Sequence, residues 1–243
     1  LIGPWIIRVL RRLKIASNPE FYNADVNRLM QMKGQTPSMG GLIILAGIFS
    51  GTILWARLEN FYVDMALFCL VWLGVLGLFD DYLKLTSARR GGSRDGLKSW
   101  EKMVFQVGLG VLLAFFIFIY GRDTWDRPEG PFNQLFVPFY KHGVALPIWA
   151  FTIITVVVIT GTSNAVNLTD GMDGLAGGCM ALVGFVFMLV AYATGDQKWS
   201  EYLLLPWVPS AEELAVLCGA LVGSCLGFLW YNCHPAEVFM GDT

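Results

Sequence analysis

Carboxylate and carboxamide side chains are concentrated in four short polar segments of an otherwise apolar chain. The densest is residues 164–178, in which two asparagines and two aspartates fall within ten residues. The others are residues 36–41, the pair Asp80-Asp81, and residues 237–242. A helix N-cap explains one aspartate or asparagine beside an apolar run, but it does not explain four together. We therefore interpret residues 164–178 as part of a site rather than as a turn.

Asp80 and Asp81 are adjacent carboxylates that directly follow an apolar run. At the C-terminus of a helix such a pair is unfavourable, because like charges repel and the negative end of the helix dipole lies close by. The ordinary interpretation is a solvated helix end. Lys84 and the arginines after it offer neutralising charge, and a bound cation is the alternative.

The types of ligand in these segments predict a hard cation. Aspartate and asparagine oxygens dominate, the chain has two histidines, and its five cysteines show no metal-ligand spacing. Mg²⁺ typically takes one or two carboxylates together with waters and substrate phosphates, and calcium and manganese accept similar ligands. The basic loop after Asp81 would attract a phosphorylated lipid. These residues alone predict Mg²⁺-dependent phosphoryl chemistry on a lipid-borne substrate at a membrane face.

The elements that carry the four segments are predicted to be membrane-spanning helices. Of 243 residues, 55% are apolar and 15% are charged, against about 25% charged in soluble domains. Unbroken apolar runs approach the roughly 20 residues that a spanning helix needs, and they favour helices over barrel strands. We predict an all-α polytopic integral membrane protein with one transmembrane domain over residues 1–243. Six complete transmembrane helices and the end of another are expected at residues 1–15, in a run ending near residue 56, and at residues 61–79, 103–120, 147–166, 175–194 and 214–231.

The distribution of lysine and arginine predicts how these helices are oriented. When the spans are followed alternately, twelve of the 17 basic residues fall on one side and five on the other. The excess marks the cytoplasmic side. All four polar segments fall on that side, so we predict an active site on the cytoplasmic face. Residues 121–146 and 195–213 fall on the other side, and their aromatic residues predict interfacial segments.

In its four polar segments the chain resembles the polyprenyl-phosphate N-acetylhexosamine-1-phosphate transferases. The matching motifs are TPSMGG at residues 36–41, DDYLK at residues 80–84, NAVNLTDGMDGLA at residues 164–176 and FLWYNCHPAEVFMGD at residues 228–242. They occur in family order over essentially the whole chain. The sequences of these motifs are most similar to those of the bacterial members that transfer phospho-MurNAc-pentapeptide from its UDP carrier to undecaprenyl phosphate. That reaction gives lipid I and UMP, uses Mg²⁺, and supplies peptidoglycan synthesis at the cytoplasmic (inner) membrane.

The resemblance implies roles for individual residues. Asp242 matches the metal-binding aspartate of the catalytic centre, and Asp80 and Asp81 match a catalytic pair, one of which deprotonates or positions the lipid phosphate. The other matches are implied to bind substrate: Asn167, Asp170, Asp173, Phe239 (beside the uracil), Lys84 (near the phosphates), Asn232, Lys33 and Thr36. Direct attack by the lipid phosphate is favoured, and a two-step route through an aspartyl phosphate on Asp80 or Asp81 stays open.

Two other functions are weighed against this one. A GlcNAc-1-phosphate transferase would use the same Mg²⁺ chemistry with a different sugar. An ion-coupled transporter also needs acidic residues in its spans, but transport sites lie near the midplane of the bilayer, whereas nearly every acid here lies at the end of a span.

The resemblance also implies which partners the protein has and how far the family's sequence extends. The expected partners are UDP-MurNAc-pentapeptide, undecaprenyl phosphate and the lipid bilayer, without nucleic acid, and a homodimer stays open. Both ends of the chain look cut, since the family continues beyond Thr243 with further spans and a histidine-rich loop that completes the site. We therefore expect residues 1–243 in isolation to lack transferase activity.

Overall fold

A computed structural model of the chain describes residues 3–12, 36–89, 96–124, 131–137 and 143–242. This part of the chain contains eight α-helices, which we number in chain order. They are α1 (Gly3–Arg12), α2 (Gly41–Trp55), α3 (Phe61–Arg89), α4 (Ser99–Thr124), α5 (Ile148–Thr169), α6 (Leu175–Gly195), α7 (Gln197–Leu203) and α8 (Leu214–Asn232).

Five of these helices are long and apolar enough to cross a bilayer, by length and composition: α3, α4, α5, α6 and α8. The expectation of an all-α polytopic membrane protein is therefore confirmed. The sixth complete span of the sequence prediction is α2, which is apolar but has 15 residues. At about 1.5 Å per residue it is roughly 22 Å long, against a hydrocarbon core of about 30 Å. The count of crossing-length helices in the described residues is thus five.

The third helix contradicts one sequence prediction. A helix end was expected directly before Asp80, but α3 continues through Asp80 and Asp81 to Arg89. The apolar run does end there, yet no glycine or proline occurs between residues 80 and 90 to stop the helix. The two carboxylates therefore lie inside α3, away from the negative end of its dipole. Lys84 lies one turn after Asp80 on the same face, where it can neutralise that charge.

The two loops predicted at the membrane interface contain short regular elements. After a 3₁₀ turn at Pro131–Asn133, strand β1 (Gln134–Leu135) pairs antiparallel with β2 (Val144–Ala145). This small hairpin is an exception to the all-helical prediction. The second loop forms α7, where the carboxylate of Asp196 caps the helix by accepting hydrogen bonds from the amides of residues 198 and 199.

Small residues let the helices approach closely, as is usual in membrane bundles. The most extensive contacts join α6 to α8, α4 to α5, and α2 to α8. At the α2–α8 crossing, a methyl group added to Gly51 would lie 2.9 Å from the Ala220 side chain. At the α4–α5 crossing, one added to Gly110 would lie 2.8 Å from the Val156 backbone. These crossings fix where each helix end presents its polar residues.

Two non-helical segments, residues 36–40 and 233–242, are paired by backbone hydrogen bonds. The Phe239 amide donates to the Pro37 carbonyl at 2.9 Å, and the Gly40 amide donates to the Phe239 carbonyl at 2.8 Å. The Gly41 amide, at the start of α2, donates to the Met240 carbonyl at 2.9 Å. The carbonyls therefore satisfy amides that the first turn of α2 cannot pair internally. This pairing brings Asp242 beside Asp81 of α3.

The pairing rests on the buried apolar cluster. Met39 and Val238, one from each paired segment, belong to the same cluster as Phe228 of α8. Gly40 lies where these groups converge: an added methyl group would lie 2.7 Å from a Phe228 ring carbon, 2.7 Å from the Phe239 carbonyl oxygen and 2.9 Å from a Val238 methyl. No side chain fits there without moving backbone.

We expect Gly40→Ala to destabilise the protein by about 1–3 kcal/mol, as overpacking of a filled core does. The measurement is thermal unfolding in detergent, in which the melting temperature should fall by several degrees. Gly108→Ala in α4 is the matched control, because nothing lies within 4 Å of its added methyl. Equal melting temperatures for the two variants would contradict the proposed crowding at Gly40.

Candidate active site

Two carboxylates and two ammonium groups form a compact charge cluster at the end of the bundle. Oδ2 of Asp242 accepts hydrogen bonds from Nζ of Lys84 at 2.7 Å and of Lys102 at 2.6 Å. The same two nitrogens lie 2.8 and 3.1 Å from Oδ2 of Asp80. The Asp80 side chain is fully buried, whereas Lys84 is 40% exposed. Each lysine therefore bridges the same two aspartates.

Three separate parts of the chain bring these groups together. Asp80 and Lys84 come from α3, Lys102 from the first turn of α4, and Asp242 from the segment paired with residues 36–40. The chain entering α4 also contacts the cluster: the Leu97 amide donates to Oδ1 of Asp80 at 2.7 Å. Gly96, directly before it, has a φ of 86°, and a side chain there would collide with that carboxylate.

Asp81 is the third carboxylate of the cluster. It is 4% exposed, and its Oδ1 accepts a hydrogen bond from the Asp242 amide at 3.2 Å. The turn before Asp242 depends on Gly241, which has a φ of 78° and whose Cα faces the other oxygen of Asp81. The three aspartates each offer an oxygen within 4.8 Å of the others.

These three aspartates fit a hard divalent cation. They offer only carboxylate oxygens, which is the donor type that Mg²⁺ prefers. Oδ2 of Asp80 is fully buried, and its partners are the two lysine nitrogens at 2.8 and 3.1 Å. A carboxylate oxygen has more than one acceptor site, so Oδ2 can pair with a lysine and still serve as a ligand to a cation. The two ammonium groups neutralise part of the charge, so the cluster is formally one charge negative.

A cleft of about 540 Å³ opens beside the cluster. Its polar end is lined by Asp80, Asp242, Lys102, Gln106, Asn167 and Asp170. From there it runs along α3 past Gly77 and Gly74 to Ala66, where its walls are apolar side chains of α2, α3 and α8. The cleft therefore joins a charged end to a long apolar groove between helices.

A hydrogen-bond network joins α4 and α5 at the polar end of this cleft. Gln106 is 5% exposed; its Nε2 donates to Ser163 Oγ at 3.0 Å, and its Oε1 accepts from Asn164 Nδ2 at 2.9 Å. The Asn164 amide nitrogen also donates to the Thr160 carbonyl at 2.7 Å. With its nitrogen committed twice, Asn164 has its carbonyl oxygen as the remaining polar group at the cleft wall.

The sequence-predicted residues do not all lie at the cluster or the cleft. Those at the cluster or cleft are Asp80, Asp81, Lys84, Asp242, Asn167 and Asp170. Asp173 lies nearby but outside the cleft wall, with its Oδ2 3.2 Å from Nδ1 of the exposed His234. Phe239 and Thr36 lie in or next to the paired backbone segments and do not line the cleft. Lys33 lies outside the described residues.

Asn232 occupies a structural position rather than the cleft wall. It is 3% exposed, its Oδ1 accepts from the Gly174 amide at 2.9 Å, and its Nδ2 donates to the Val238 carbonyl at 2.8 Å. Both halves of its amide are thus used inside the protein. It joins the turn before α6 to the segment that carries Asp242.

Lys102 and Gln106 are cleft residues that the sequence analysis did not select. They are four residues apart on α4 and so share one face. Gln106 interrupts an apolar run, and a polar residue inside a span indicates a site by default. That indication was present and was overlooked. No such indication exists for Lys102, because it follows a basic loop in which any lysine could be solvated.

Two acids in the site have shifted pKa values of opposite sign. Burial opposes ionisation of Asp242, but hydrogen bonds from Lys102 and Lys84 and the positive charge of Lys84 outweigh it and hold its pKa well below the ordinary value. The pKa of Asp170 is raised, first by burial and then by the negative charges of Asp242 and Asp173. Asp242 therefore stays ionised to a lower pH than an ordinary aspartate, whereas Asp170 ionises less readily than an ordinary aspartate.

The cluster and most of the cleft lie in a part of the chain that a known family model matches. The family model described as glycosyl transferase family 4 matches residues 63–243, which include the three clustered aspartates, both lysines and the cleft residues of α4 and α5. The chain belongs to glycosyl transferase family 4. The motif at residues 36–41 lies outside the matched range, although the backbone pairing makes it part of the same structural unit.

Curated relatives of this family-4 chain are named phospho-N-acetylmuramoyl-pentapeptide-transferase. The protein from Pelobacter propionicus is 44% identical over 245 residues, and that from Gemmatimonas aurantiaca is 41% identical over 248 residues. The one from Desulfotalea psychrophila is 38% identical over 243 residues. Each alignment covers 100% of this chain and 63–64% of the relative. The chain thus spans under two thirds of their length, and the resemblance predicted from the four motifs is confirmed.

We expect Asn232→Ala to lower the melting temperature of this family-4 protein. The substitution leaves the Gly174 amide and the Val238 carbonyl without partners, and each buried unpaired group costs about 1–3 kcal/mol. Asn232→Asp keeps an acceptor for the Gly174 amide but sets a buried carboxylate oxygen against the Val238 carbonyl, so it should also lose stability. Thermal unfolding in detergent measures both. An alanine variant with wild-type stability and weakened ligand binding would instead indicate direct contact with substrate.

We expect Asp170→Asn to raise the melting temperature at pH 7. Because the pKa of Asp170 is higher in the folded than in the unfolded state, its ionisation disfavours folding at neutral pH. The gain should vanish once the pH falls below the ordinary aspartate pKa of about 4. Glu59→Gln, at an exposed position at the opposite end of the bundle, is the control. A gain of equal size at low and neutral pH would contradict this origin.

Proposed function

We propose that this chain belongs to a transferase that moves phospho-MurNAc-pentapeptide from UDP-MurNAc-pentapeptide to undecaprenyl phosphate, releasing UMP and giving lipid I. The observation that carries the proposal is one cleft that joins a carboxylate–lysine cluster to an apolar groove. The names of the curated relatives supply the identity of the substrates. The chemistry of the cleft suits a phosphate ester that carries a long hydrocarbon chain.

The charged end of the cleft suits the phosphates of both substrates. Lys102 lines the cleft and Lys84 lies beside it in the charge cluster, and ammonium groups bind phosphate oxygens through charge-assisted hydrogen bonds. Asn167 lines the cleft and would offer neutral polar contacts to a nucleotide sugar. Asp170 adds a carboxyl group to the same wall.

The apolar groove suits the lipid substrate. It starts at Asp80 and follows the face of α3 that carries Gly77, Gly74 and Ala66. Small side chains along one helix face leave a trough, and leucines of α3 and α8 line its sides. A polyprenyl chain in this groove would stay in apolar surroundings while its phosphate reached the lysines.

Asp242, Asp81 and Asp80 would hold the Mg²⁺ ion. When bound, Mg²⁺ would neutralise the negative charge of the diphosphate and stabilise the charge that develops as the bond breaks. The residues of the chain do the rest. The lysines orient the phosphates, and the backbone pairing of residues 36–40 with residues 233–242 keeps Asp242 in place.

We favour direct transfer over a covalent aspartyl intermediate. An oxygen of the lipid phosphate would attack the sugar-bearing phosphorus, the phosphoanhydride bond to UMP would break, and its electron pair would leave with UMP. A phosphate monoester has a second pKa near 6, so most of it is dianionic at pH 7 and needs no strong base. Asp80 is poorly placed as a nucleophile, since the Leu97 amide bonds one oxygen and both lysines contact the other.

We further propose that the cleft faces the cytoplasm at the bacterial inner membrane. The support is the excess of lysine and arginine on the side of the four polar segments.

The test is a transferase assay on the purified protein expressed from its complete gene. With UDP-MurNAc-pentapeptide and undecaprenyl phosphate we expect UMP release with formation of lipid I, loss of activity in EDTA, and recovery with Mg²⁺. Asp242→Asn should lower kcat by at least about 100-fold, the size of effect seen when one group that stabilises transition-state charge is lost.

Glu59→Gln, at an exposed position far from the cleft, is the control and should keep wild-type activity. Turnover of UDP-GlcNAc in place of the MurNAc donor would overturn the proposed sugar and indicate a GlcNAc-1-phosphate transferase. Cation flux into vesicles without any UMP release would indicate a transporter. Undiminished activity in EDTA would overturn the proposed role of the three aspartates in holding Mg²⁺.

A further inference from the structure

Lys84 and Lys102 contact the same carboxylate oxygens that a metal ion would use. Oδ2 of Asp242 accepts a hydrogen bond from each lysine, and Oδ2 of Asp80 lies within 3.1 Å of both nitrogens. Two positive charges therefore already occupy the space between these carboxylates. A divalent cation drawn to the same oxygens meets both ammonium groups at close range, where like charges repel strongly.

The side chains of the two lysines differ from the aspartates in their freedom to move. Asp80 and Asp81 are 0% and 4% exposed, and backbone amides hold an oxygen of each. Lys84 and Lys102 are 40% and 23% exposed at the side chain, and each has a flexible four-carbon stem. The lysines can turn toward the cleft while the carboxylates stay where they are.

A phosphate group in the cleft would change this balance. It offers the ammonium groups new anionic partners and, at the same time, offers a metal ion further oxygen ligands. The cation and the phosphate therefore favour the same arrangement, with the lysines turned away from Asp80 and Asp242. Two ligands that favour the same arrangement bind co-operatively, and the coupling is reciprocal.

We propose that Lys84 and Lys102 act as internal counter-ions of Asp80 and Asp242, so that a divalent cation and a phosphate ester bind this cluster co-operatively. The inference rests on the proposed function for the identity of the phosphate ligands. It assigns Lys102 a positioning role that follows from its contacts alone. In the ligand-free protein the lysines stabilise the clustered carboxylates, and in the complex they hold phosphate.

The test measures Mn²⁺ binding, by loss of the free-ion electron paramagnetic resonance signal, to the purified protein in detergent. Mn²⁺ is titrated alone, with UMP, and with undecaprenyl phosphate in mixed micelles, so that the nucleotide and lipid sources of phosphate are separated. Protein-free titrations correct for complexes between Mn²⁺ and either phosphate. In the wild type we expect at least one phosphate to tighten Mn²⁺ binding by about tenfold, within the usual range of coupling between sites.

Lys102→Met and Lys84→Met should bind Mn²⁺ alone more tightly than the wild type, because a competing positive charge has been removed. The phosphates should then add less to the affinity of each variant. Lys98→Met is the matched control: it removes the same charge one turn earlier in the chain, where the residue is exposed, and should behave as the wild type. A purely structural lysine would weaken Mn²⁺ binding when removed, so the sign of the change separates the two roles.

Mn²⁺ affinity that neither phosphate alters in the wild type would overturn the inference. So would Lys102→Met and Lys84→Met variants that are folded by thermal unfolding yet bind Mn²⁺ no more tightly than Lys98→Met. The transferase assay keeps the two proposals apart. Turnover without coupling overturns this inference alone, and coupling without turnover overturns the proposed function alone.

Discussion

Asp81 and Asp242 are 161 residues apart in the chain, and the site depends on holding them within hydrogen-bond distance. Three carboxylates packed this closely repel one another, so the arrangement needs a source of compensation. Lys84 and Lys102 offset the repulsion with their positive charges. The backbone hydrogen bonds between residues 37–41 and residues 239–240 hold the segment that carries Asp242 in place. Removing one partner of a buried charge cluster is costly. Because Lys102 of α4 belongs to this cluster, the position of α4 depends on that of residues 233–242.

Residues around the three aspartates also hold them close together. Glycines at positions 40, 96 and 241 each lie where a side chain would meet the carboxylates or the segment that carries Asp242. Asn232 joins that segment to the turn before α6. The apolar cluster beneath, which includes Phe228 and Val238, gives the paired segments a rigid floor. A site at the end of a membrane bundle is thus positioned by packing as firmly as by charge.

The polar end of the cleft is built at some cost to stability. Asp170 is held where burial and two neighbouring carboxylates disfavour its charge, and the buried carboxylate of Asp80 lies close to those of Asp81 and Asp242. Strain of this kind is typical of functional sites, where groups are kept ready for a ligand that the protein alone does not satisfy. By contrast, the polar groups of the Gln106 network are hydrogen-bonded to one another. These bonds join α4 and α5 and fix the position of this part of the cleft wall.

The sequence by itself determined the class of fold and most residues of the charge cluster. Apolar runs of crossing length predict spans, and acidic residues between them stand out because lipid gives them no partner. The tertiary structure alone decided where each residue lies and what it contacts. It continued α3 through Asp80 and Asp81, moved Asn232 from the cleft into a structural role, and added Lys102 as the second bridge between Asp80 and Asp242. The reason is physical: hydropathy and spacing report contacts along one helix, whereas the geometry of the site comes from contacts between elements far apart in the chain.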